Sequence, residues 1–404
     1  CASSAAMPSA ALAGVRVVEL AGLAPAPFCG LLLRDLGARV VRVDRADAAF
    51  TVDRLARGKE SLALDLKSPS GGAAFRRLCA ASDVLIEPFR PGVMEKLGFG
   101  PDRLLAENPR LVYSRLSGYG QSGPLAQRPG HDINYLAASG VLSRLADGDS
   151  PPRPPVNLLA DFAGGGLLAA LGIVAALFER QATGLGRILD ANLTEGAAYL
   201  ASWLFASRDL FVWRDGARPG ENILDGGAHF YRCYRCLDGR HLAVGALEPQ
   251  FYAAFVAGLG LTEAELPQAT EDAAGAIATV TKIIGTKTRD DWLSRFGPDA
   301  CVNAVEELSE AQANPHAAVR ASFSPSADTP GHHLPRPPRF ASVAPDGSGV
   351  GPDEPFQPGR SPRIGEHTCS LLAELGYSEA EIRQLLAEGR AVQCSTGGSP
   401  SGRL

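Results

Sequence analysis

Residues 14–44 read GVRVVELAGLAPAPFCGLLLRDLGARVVRVD, and this stretch predicts the fold. Residues 14–20 and 38–44 have the apolar, β-branched composition of buried strands, and residues 28–36 between them have helical spacing. A strand, a helix and a second strand in this order predict two parallel strands joined by a right-handed crossover. Strand and helix patterns continue to alternate as far as residue 117, so we expect an α/β protein with a Rossmann-like large domain.

The turn after the first predicted strand disfavours a dinucleotide site. It reads Gly22-Leu23-Ala24-Pro25-Ala26-Pro27, which lacks the GxGxxG pattern, and its two prolines lack the N–H groups that would bind a pyrophosphate. Asp44 does stand where a ribose-binding acid would be. A nicotinamide-dependent oxidoreductase is therefore the weaker interpretation.

Composition limits the partners of the protein. The 404 residues carry a formal net charge of −5, so no nucleic-acid partner is expected. The eight cysteines are scattered, which is typical of reduced thiols, and the lone pair Cys233 and Cys236 has no second pair to complete a metal site. We expect no metal. No uninterrupted run of 18 apolar residues occurs, so we also expect no membrane span.

A cluster of cations follows the second predicted strand. Its members are Arg39, Arg42, Arg45, Arg54, Arg57 and Lys59, interleaved with three aspartates. A mixed-charge surface and a phosphate-binding loop at the carboxyl end of the sheet explain this pattern equally well from the residues alone. The turn Arg57-Gly58-Lys59 is the best candidate for phosphate binding, because its glycine would let two cations and the backbone approach one anion.

Two polar residues stand where predicted helices begin. His131 opens one helix, and Asp161 opens another over residues 161–180. A base beside the free N–H groups of a helix start could remove a proton while those groups hold the resulting anion, although each residue could equally be a structural cap. Four glycines in the second helix predict either a very close neighbouring backbone or a ligand at its start; they are Gly164, Gly165, Gly166 and Gly172.

Several segments together resemble the family III CoA-transferases, also called the CaiB/BaiF-like family. They are VVEL (17–20) with GLAP (22–25), GARVVRVDR (37–45), RGK (57–59), RLSGYGQ (115–121), GHDINY (130–135), residues 158–166 and VGALEPQFY (244–252). The resemblance covers nearly all of residues 14–388. Within the family, the segment GHDINY resembles the sequences of the racemase branch.

The resemblance implies an enzyme that interconverts (2R)- and (2S)-2-methylacyl-CoA thioesters through an enolate, in branched-chain fatty acid and bile-acid intermediate oxidation. His131 and Asp161 would be bases on opposite faces of the α-carbon, and Glu248 would orient His131. CoA belongs to the substrate, and no separate cofactor is expected. The residues implied in CoA binding are Arg45, Arg54, Arg57, Lys59, Leu64, Asp65, Leu66, Lys67, Gly130, Asp132, Ile133, Asn134 and Tyr135.

The resemblance also implies a domain organisation and an assembly. A smaller α+β domain would accompany the large domain, and two chains would interlock as a homodimer whose active site draws on both subunits. A hairpin around Asp238-Gly239 lies in the predicted smaller domain. The expected divisions are a large CoA-binding domain over 8–190, a linker helix over 191–225, a small domain over 226–320, a return segment packing on the large domain over 321–390, and a flexible tail over 391–404.

Two other functions stay open at this point. One is a CoA-transferase with Asp161 as the nucleophile, and the other is an acyl-CoA-binding protein without turnover. The pair of His131 and Glu248 favours the racemase, because a transferase needs no second base. The terminal Ser401-Gly402-Arg403-Leu404 approaches a peroxisomal signal, so a peroxisomal or mitochondrial location is expected. Met7 is a candidate initiator, preceded by six residues of extra coding sequence.

Overall fold

The structure is a computed structural model that describes residues 10–48, 50–213, 216–343, 349–353 and 356–394. The candidate initiator Met7 and the C-terminal signal over 401–404 lie outside these residues.

The strands of the described ranges are β1 (Arg16–Leu20), β2 (Arg39–Arg45), β3 (Glu60–Leu64), β4 (Val84–Glu87), β5 (Val112–Ser117), β6 (Ile188–Asn192), β7 (Tyr231–Arg235), β8 (His241–Gly245), β9 (Val302–Ala304), β10 (Phe323–Pro325), β11 (His333–Pro335), β12 (Ala341–Val343), β13 (Val350–Asp353) and β14 (Ala391–Val392). The α-helices are α1 (Pro25–Asp35), α2 (Pro69–Ala80), α3 (Val93–Lys96), α4 (Pro101–Glu107), α5 (Asp132–Ser139), α6 (Leu168–Thr183), α7 (Leu193–Leu200), α8 (Ser202–Ala206), α9 (Pro249–Leu259), α10 (Ala273–Ile284), α11 (Arg289–Arg295), α12 (Leu308–Ala311), α13 (Pro315–Val319), α14 (Thr368–Glu374) and α15 (Glu379–Ala387).

The chain forms two compact units. The first combines the chain up to Ser139 with Pro155–Leu200 and the chain from Val319 onward, and the second combines Gly140–Pro154 with Ala201–Ala318. Residues 140–154 therefore belong to the second unit, although the sequence placed them in the large domain over 8–190.

A seven-stranded sheet in the order β14-β3-β2-β1-β4-β5-β6 is the framework of the first unit. Strands β1 to β6 are parallel, and their order 3-2-1-4-5-6 is that of a doubly wound Rossmann fold. The predicted α/β architecture is confirmed. Val17, Val18 and Leu20 are all buried, as expected for a central strand covered on both faces.

The predicted linker helix over 191–225 does not form as one helix. Ile188–Asn192 is the sixth parallel strand, and two short helices, α7 and α8, follow it. Asn192 ends the strand, because its side-chain oxygen accepts the N–H of Glu195 at 2.8 Å and so caps the first turn of α7.

The C-terminal segment completes the core of the first unit. Helices α14 and α15 bury Leu371, Leu372 and Leu385 in the same apolar cluster as Val18 and Phe75. A buried leucine contributes about 1.5–3 kcal/mol to folding. Beyond them β14 pairs antiparallel with β3, so the tail predicted from residue 391 begins as an edge strand. Residues 395–404 lie outside the described ranges.

The second unit is a small α+β structure. Its antiparallel sheet has the order β7-β8-β9, and the predicted hairpin around Asp238-Gly239 is confirmed, with Gly239 at φ +80°. Helices α9 to α11 cover the sheet with large buried side chains, of which Trp292, Tyr252 and Phe255 are almost fully enclosed. Such aromatic residues dominate the burial of a small core.

One continuous helix of the described chain, Leu158–Thr183, is 26 residues long and apolar enough to cross a membrane by length and composition. The core helix of a soluble protein passes the same test. The first ten residues, Leu158–Leu167, are π-helical, and α6 continues from them. This replaces the predicted uniform helix over 161–180.

The glycines of this helix lie against close neighbours. A Cβ on Gly164 would lie 2.6 Å from the nitrogen of Ala197, and one on Gly196 in α7 would lie 1.9 Å from the oxygen of Gly164. A Cβ on Gly166 would lie 2.7 Å from the carbonyl oxygen of Pro25. Of the two reasons predicted for this glycine-rich helix, close backbone approach is confirmed.

We expect Gly196→Ala to destabilise the first unit by about 3 kcal/mol, because its methyl group has no room beside the π-helical backbone. Urea denaturation measures this change as a lower midpoint. Gly297→Ala is the matched control, since a Cβ there meets nothing within 4 Å. Equal midpoints for the two variants would contradict the close packing described above.

Candidate active site

The predicted site residues of the first unit follow the carboxyl ends of parallel strands. Arg45 ends β2, residues 65–67 follow β3, and the segment 130–135 follows β5 through a loop. Doubly wound sheets bind their ligands at this edge. The fold therefore gathers at one edge segments that are far apart in sequence.

His131 stands immediately before α5 with an exposed side chain. Its carbonyl accepts the N–H groups of Asn134 and Tyr135, and its own N–H donates to Oδ1 of Asn134 at 3.0 Å. These reciprocal bonds resemble a capping box and fix the backbone of His131. In the described part of the chain, the N–H groups of Asp132 and Ile133 have no hydrogen-bond acceptor, so two free donors of the helix start lie beside His131.

Tyr135 holds the loop that precedes His131. Its hydroxyl donates to the carbonyl of Gly130 at 2.5 Å. Its ring occupies the space that side chains at Gly118 and Gly130 would need, since Cβ atoms there would lie 2.2 Å and 2.7 Å from ring carbons. The side chain of Tyr135, which the sequence assigned to CoA binding, is thus half-buried, and it supports the loop before His131.

Asp161 lies in the first turn of the π-helical segment with a half-buried side chain. Burial raises its pKa above the ordinary range of a carboxyl, and the charge of Asp132 acts in the same direction. A hydrogen bond from Asn157 (Nδ2 to Oδ2, 3.4 Å) and the charge of His131 act against that rise in the pKa. A carboxyl with a raised pKa is better suited to both accept and return a proton near neutrality.

The turn before Asp161 has an unusual backbone. Val156 and Asn157 have φ values of +55° and +51°, in the left-handed region that β-branched residues rarely adopt. Such a conformation costs about 1–2 kcal/mol per residue. Both this turn and the π-helix are rare features of the kind that cluster at functional sites.

Two of the cations predicted to bind CoA are used inside the protein instead. Nζ of Lys59 is fully buried and donates to Oε2 of Glu19 at 2.6 Å and to the carbonyl of Pro27 at 2.8 Å. The guanidinium of Arg57 donates to both carboxylate oxygens of Asp35, at 2.7 Å and 2.5 Å. The structure therefore does not present the turn Arg57-Gly58-Lys59 as a phosphate-binding site, because both cations are neutralised within the fold.

Three other predicted cations lie at the surface. Arg45 pairs with Asp47, which is also exposed, and water screens the attraction between them, so a phosphate can compete for Arg45. Arg54 and Lys67 are exposed as well. Two neighbours in this loop that were not predicted as site residues, Phe50 and Val52, expose 77% and 57% of their surface. The sequence signal for them is two apolar residues, separated by Thr51, in a loop otherwise rich in charge.

The remaining residues predicted to bind CoA are structural or partly exposed. Leu64 is buried in the core, and Leu66 packs against it. Asp65 accepts the N–H of Lys67 at 3.1 Å and pairs with Arg390 at 3.0 Å. The side chains of Ile133 and Asn134 are exposed.

A buried ionic network lies beneath the cationic loop. Arg42 donates to Asp44 at 2.6 Å and to Asp53 at 3.0 Å. The hydroxyl of Ser61 donates to Asp44 at 2.6 Å and accepts the N–H of Gly365 at 2.8 Å. Asp53 thereby anchors the loop to the sheet, and Ser61 ties the sheet to the returning C-terminal segment.

Glu248 belongs to the second unit. It is exposed and precedes α9 in an extended conformation, and its side chain makes no capping hydrogen bond to that helix. An exposed carboxylate without a capping role suits a group that acts on another surface. Its orientation of His131 stays a prediction.

Together the fold and site define a doubly wound α/β protein in which His131 and Asp161 stand at two helix starts of the unit that holds the parallel sheet. The profile of CoA-transferase family III matches residues 12–368, and the chain belongs to this family. It is 50% identical over 380 residues to the human alpha-methylacyl-CoA racemase, covering 93% of this chain and 96% of that protein. The mouse protein of the same name is 50% identical over 377 residues, again with 93% and 96% covered.

A solved structure shares the fold. The crystal structure of a CAIB/BAIF family protein from Brucella suis superposes with a TM-score of 0.74 at 26% identity, covering 90% of this chain and 99% of that chain. The resemblance inferred from the sequence is thereby confirmed.

We expect Lys59→Met to destabilise the protein by about 3–5 kcal/mol, because it leaves the carboxylate of Glu19 buried and unpaired. The double variant Glu19→Gln/Lys59→Met should recover most of this loss, since no buried charge remains. Urea denaturation of the wild type, both single variants and the double variant measures the coupling. A Lys59→Met variant of wild-type stability that only binds CoA more weakly would favour the original prediction for Lys59.

Proposed function

We propose that this protein is an acyl-CoA racemase that interconverts (2R)- and (2S)-2-methylacyl-CoA thioesters. The observation that carries the proposal is the half-buried carboxyl of Asp161, with its raised pKa, in one unit with the exposed His131. Half of the residues are identical to those of two proteins named alpha-methylacyl-CoA racemase, which supports the same chemistry here.

The chemistry follows from the acidity of a thioester. Its carbonyl delocalises the carbanion formed when the α-proton leaves, so a moderate base can remove that proton. In one direction Asp161 accepts the proton and protonated His131 supplies another on the opposite face, and in the reverse direction they exchange roles. The N–H groups of Asp132 and Ile133 stabilise the enolate oxygen between the two steps. The reaction is redox-neutral and the substrate supplies its own electron sink, so we propose no metal or redox cofactor.

Exposed cations hold the CoA moiety in this proposal. Arg45 ends β2, Arg54 lies in the loop after it, and Lys67 follows β3, at the edge of the sheet where doubly wound folds bind ligands. Phosphates attract such flexible cations strongly, because the bonds formed are charge-assisted. Arg57 and Lys59 act indirectly by holding the framework of the loop.

We further propose that two chains form a homodimer, with Glu248 orienting His131 across the interface. An apolar stripe along one face of the long helix supports it: Leu167, Leu171 and Phe178 recur at helical spacing, and the last two expose 61% and 82% of their surface. Breakdown of branched-chain fatty acids and bile-acid intermediates, in the peroxisome or the mitochondrion, is the setting that the resemblance supports.

Incubation with a single enantiomer of a 2-methylacyl-CoA in D₂O tests the proposed activity. We expect deuterium at the α-carbon together with formation of the other enantiomer, measured by mass spectrometry and chiral chromatography. Asp161→Asn should lower racemisation by about a thousand-fold or more, because the amide accepts no proton. Asp102→Asn is the control, as it makes the same change at an exposed aspartate in the first turn of α4.

Two outcomes would contradict the racemase. Transfer of CoA from the thioester to an added carboxylate, with release of the original acyl group as a free acid and without α-exchange, would favour a transferase with Asp161 as nucleophile. Tight binding of the thioester without exchange or transfer would favour a binding protein.

We expect the double variant Leu171→Glu/Phe178→Glu to be monomeric, because two charges in an apolar interface cannot be desolvated. Analytical ultracentrifugation measures the mass in solution. Leu308→Glu serves as the control, since Leu308 is an isolated leucine that exposes 97% of its surface. A dimeric double variant, or a monomeric wild type, would refute this interface.

A further inference from the structure

We propose that Asp132 is a positioning residue that couples the two bases of the active site. Its side chain caps the helical turn that carries Asp161, and its backbone directly follows His131. This inference rests on the proposed racemase function. It assigns Asp132 a role different from the CoA contact that the sequence predicted.

The hydrogen bonds of Asp132 carry the proposal. Its Oδ1 accepts the N–H of Ala160 at 2.7 Å and the N–H of Asp161 at 2.9 Å. The residue is only 5% exposed, so its carboxylate is turned inward and away from solvent. Charge-assisted bonds of this kind are stronger than neutral ones, and a capping side chain stabilises the helix start that it caps.

The turn of Asp161 cannot supply this cap by itself. Asn157 occupies the capping position, but its side chain makes no capping bond, and it lies with Val156 in the left-handed region. The N–H groups at a helix start need acceptors from elsewhere when they are buried. A neighbouring helix provides one here through Asp132.

The position of Asp132 in the chain explains why this cap matters for two bases. It directly follows His131, whose backbone is held by Asn134 and whose loop is held by Tyr135. The distance between His131 and Asp161 is therefore fixed through one rigid side chain. A displacement of about 1 Å between reacting groups can cost a hundred-fold in rate, so such a link is valuable to a two-base reaction.

The charge of Asp132 has a second effect on the same carboxyl. It raises the pKa of Asp161, in addition to the larger effect of burial. The other groups acting on Asp161 are His131 and Asn157, while Asp161 in turn raises the pKa of Tyr135. Of the other elements packed against the π-helical segment, α7 carries the exposed Glu195, and α1 carries Arg34 and Asp35, which pair with each other. The charged residues of β5, β6 and α6 all have partners of their own: Arg115 pairs with Glu87, Asp190 accepts the N–H of Gln121, Arg180 pairs with Asp83, and Glu179 pairs with Arg187.

Two substitutions separate the cap from the charge. Asp132→Asn keeps an acceptor oxygen and removes the negative charge, whereas Asp132→Ala removes both. Exchange of the α-proton in D₂O is measured from each enantiomer separately over a range of pH, because Asp161 removes the proton from one enantiomer and His131 from the other. Asp102→Asn again controls for the loss of a charge at an exposed helix start.

For Asp132→Asn we expect the acid limb of kcat to move to lower pH with the enantiomer that Asp161 deprotonates. Removing a negative neighbour lowers the pKa of Asp161, so it stays ionised at lower pH. The profile for the other enantiomer should move less. For Asp132→Ala we expect kcat to fall about 100-fold with both enantiomers and KM to change little, because the bases lose their spacing.

Amide hydrogen exchange of the peptide over residues 158–167 gives a readout that needs no activity. Asp132→Ala should lose protection at Ala160 and Asp161, and Asp132→Asn should keep it. Unchanged protection in Asp132→Ala would overturn the proposal, as would wild-type pH profiles in Asp132→Asn with unaltered kcat in Asp132→Ala. A rise in KM alone would return Asp132 to CoA binding. A wild type that exchanges no α-proton would instead refute the racemase, while the protection data would still decide the capping role.

Discussion

The first unit depends on a backbone crossing that leaves no room for a side chain. Gly164 of the π-helical segment and Gly196 of α7 meet main chain to main chain. This contact brings the start of the long helix down between α1 and α7, where the ring of Phe162 packs edge-on against Phe28 at 5.1 Å. Asp161 precedes Phe162, so its half-buried position follows directly from the closeness of the two backbones.

Charge inside the first unit is mostly matched before any ligand arrives. Glu19 with Lys59, and Arg42 with Asp44 and Asp53, are ion pairs that the fold has withdrawn from water. Desolvation offsets much of the attraction in such pairs, so their main effect is to define one arrangement of the loop over the sheet. The exposed cations of the same loop remain free of that constraint. One short stretch of sequence thus supplies both buried charges of the framework and exposed cations at the surface.

The sequence predicted what depends on apolar periodicity and missed what depends on tertiary partners. The βαβ start and the hairpin at Asp238 follow from local patterns, and the family follows from motifs. Strand β6 was missed because it is short and half-exposed, and the π-helix because its hydrophobic pattern resembles that of an α-helix. The sequence shows a lysine at position 59, but only the fold shows that Glu19 neutralises its charge. The inward direction of Asp132 was equally hidden, although its place beside His131 was visible.

The antiparallel strand β14 has a consequence for how the chain is made. It covers the outer edge of β3, and the helices just before it complete the core cluster beneath the sheet. A growing polypeptide therefore carries an open sheet edge until synthesis has passed Val392, after the whole second unit has emerged from the ribosome. Open edges pair readily with other strands, so the uncovered edge of β3 is a point at which unfinished chains can associate until β14 has paired with it.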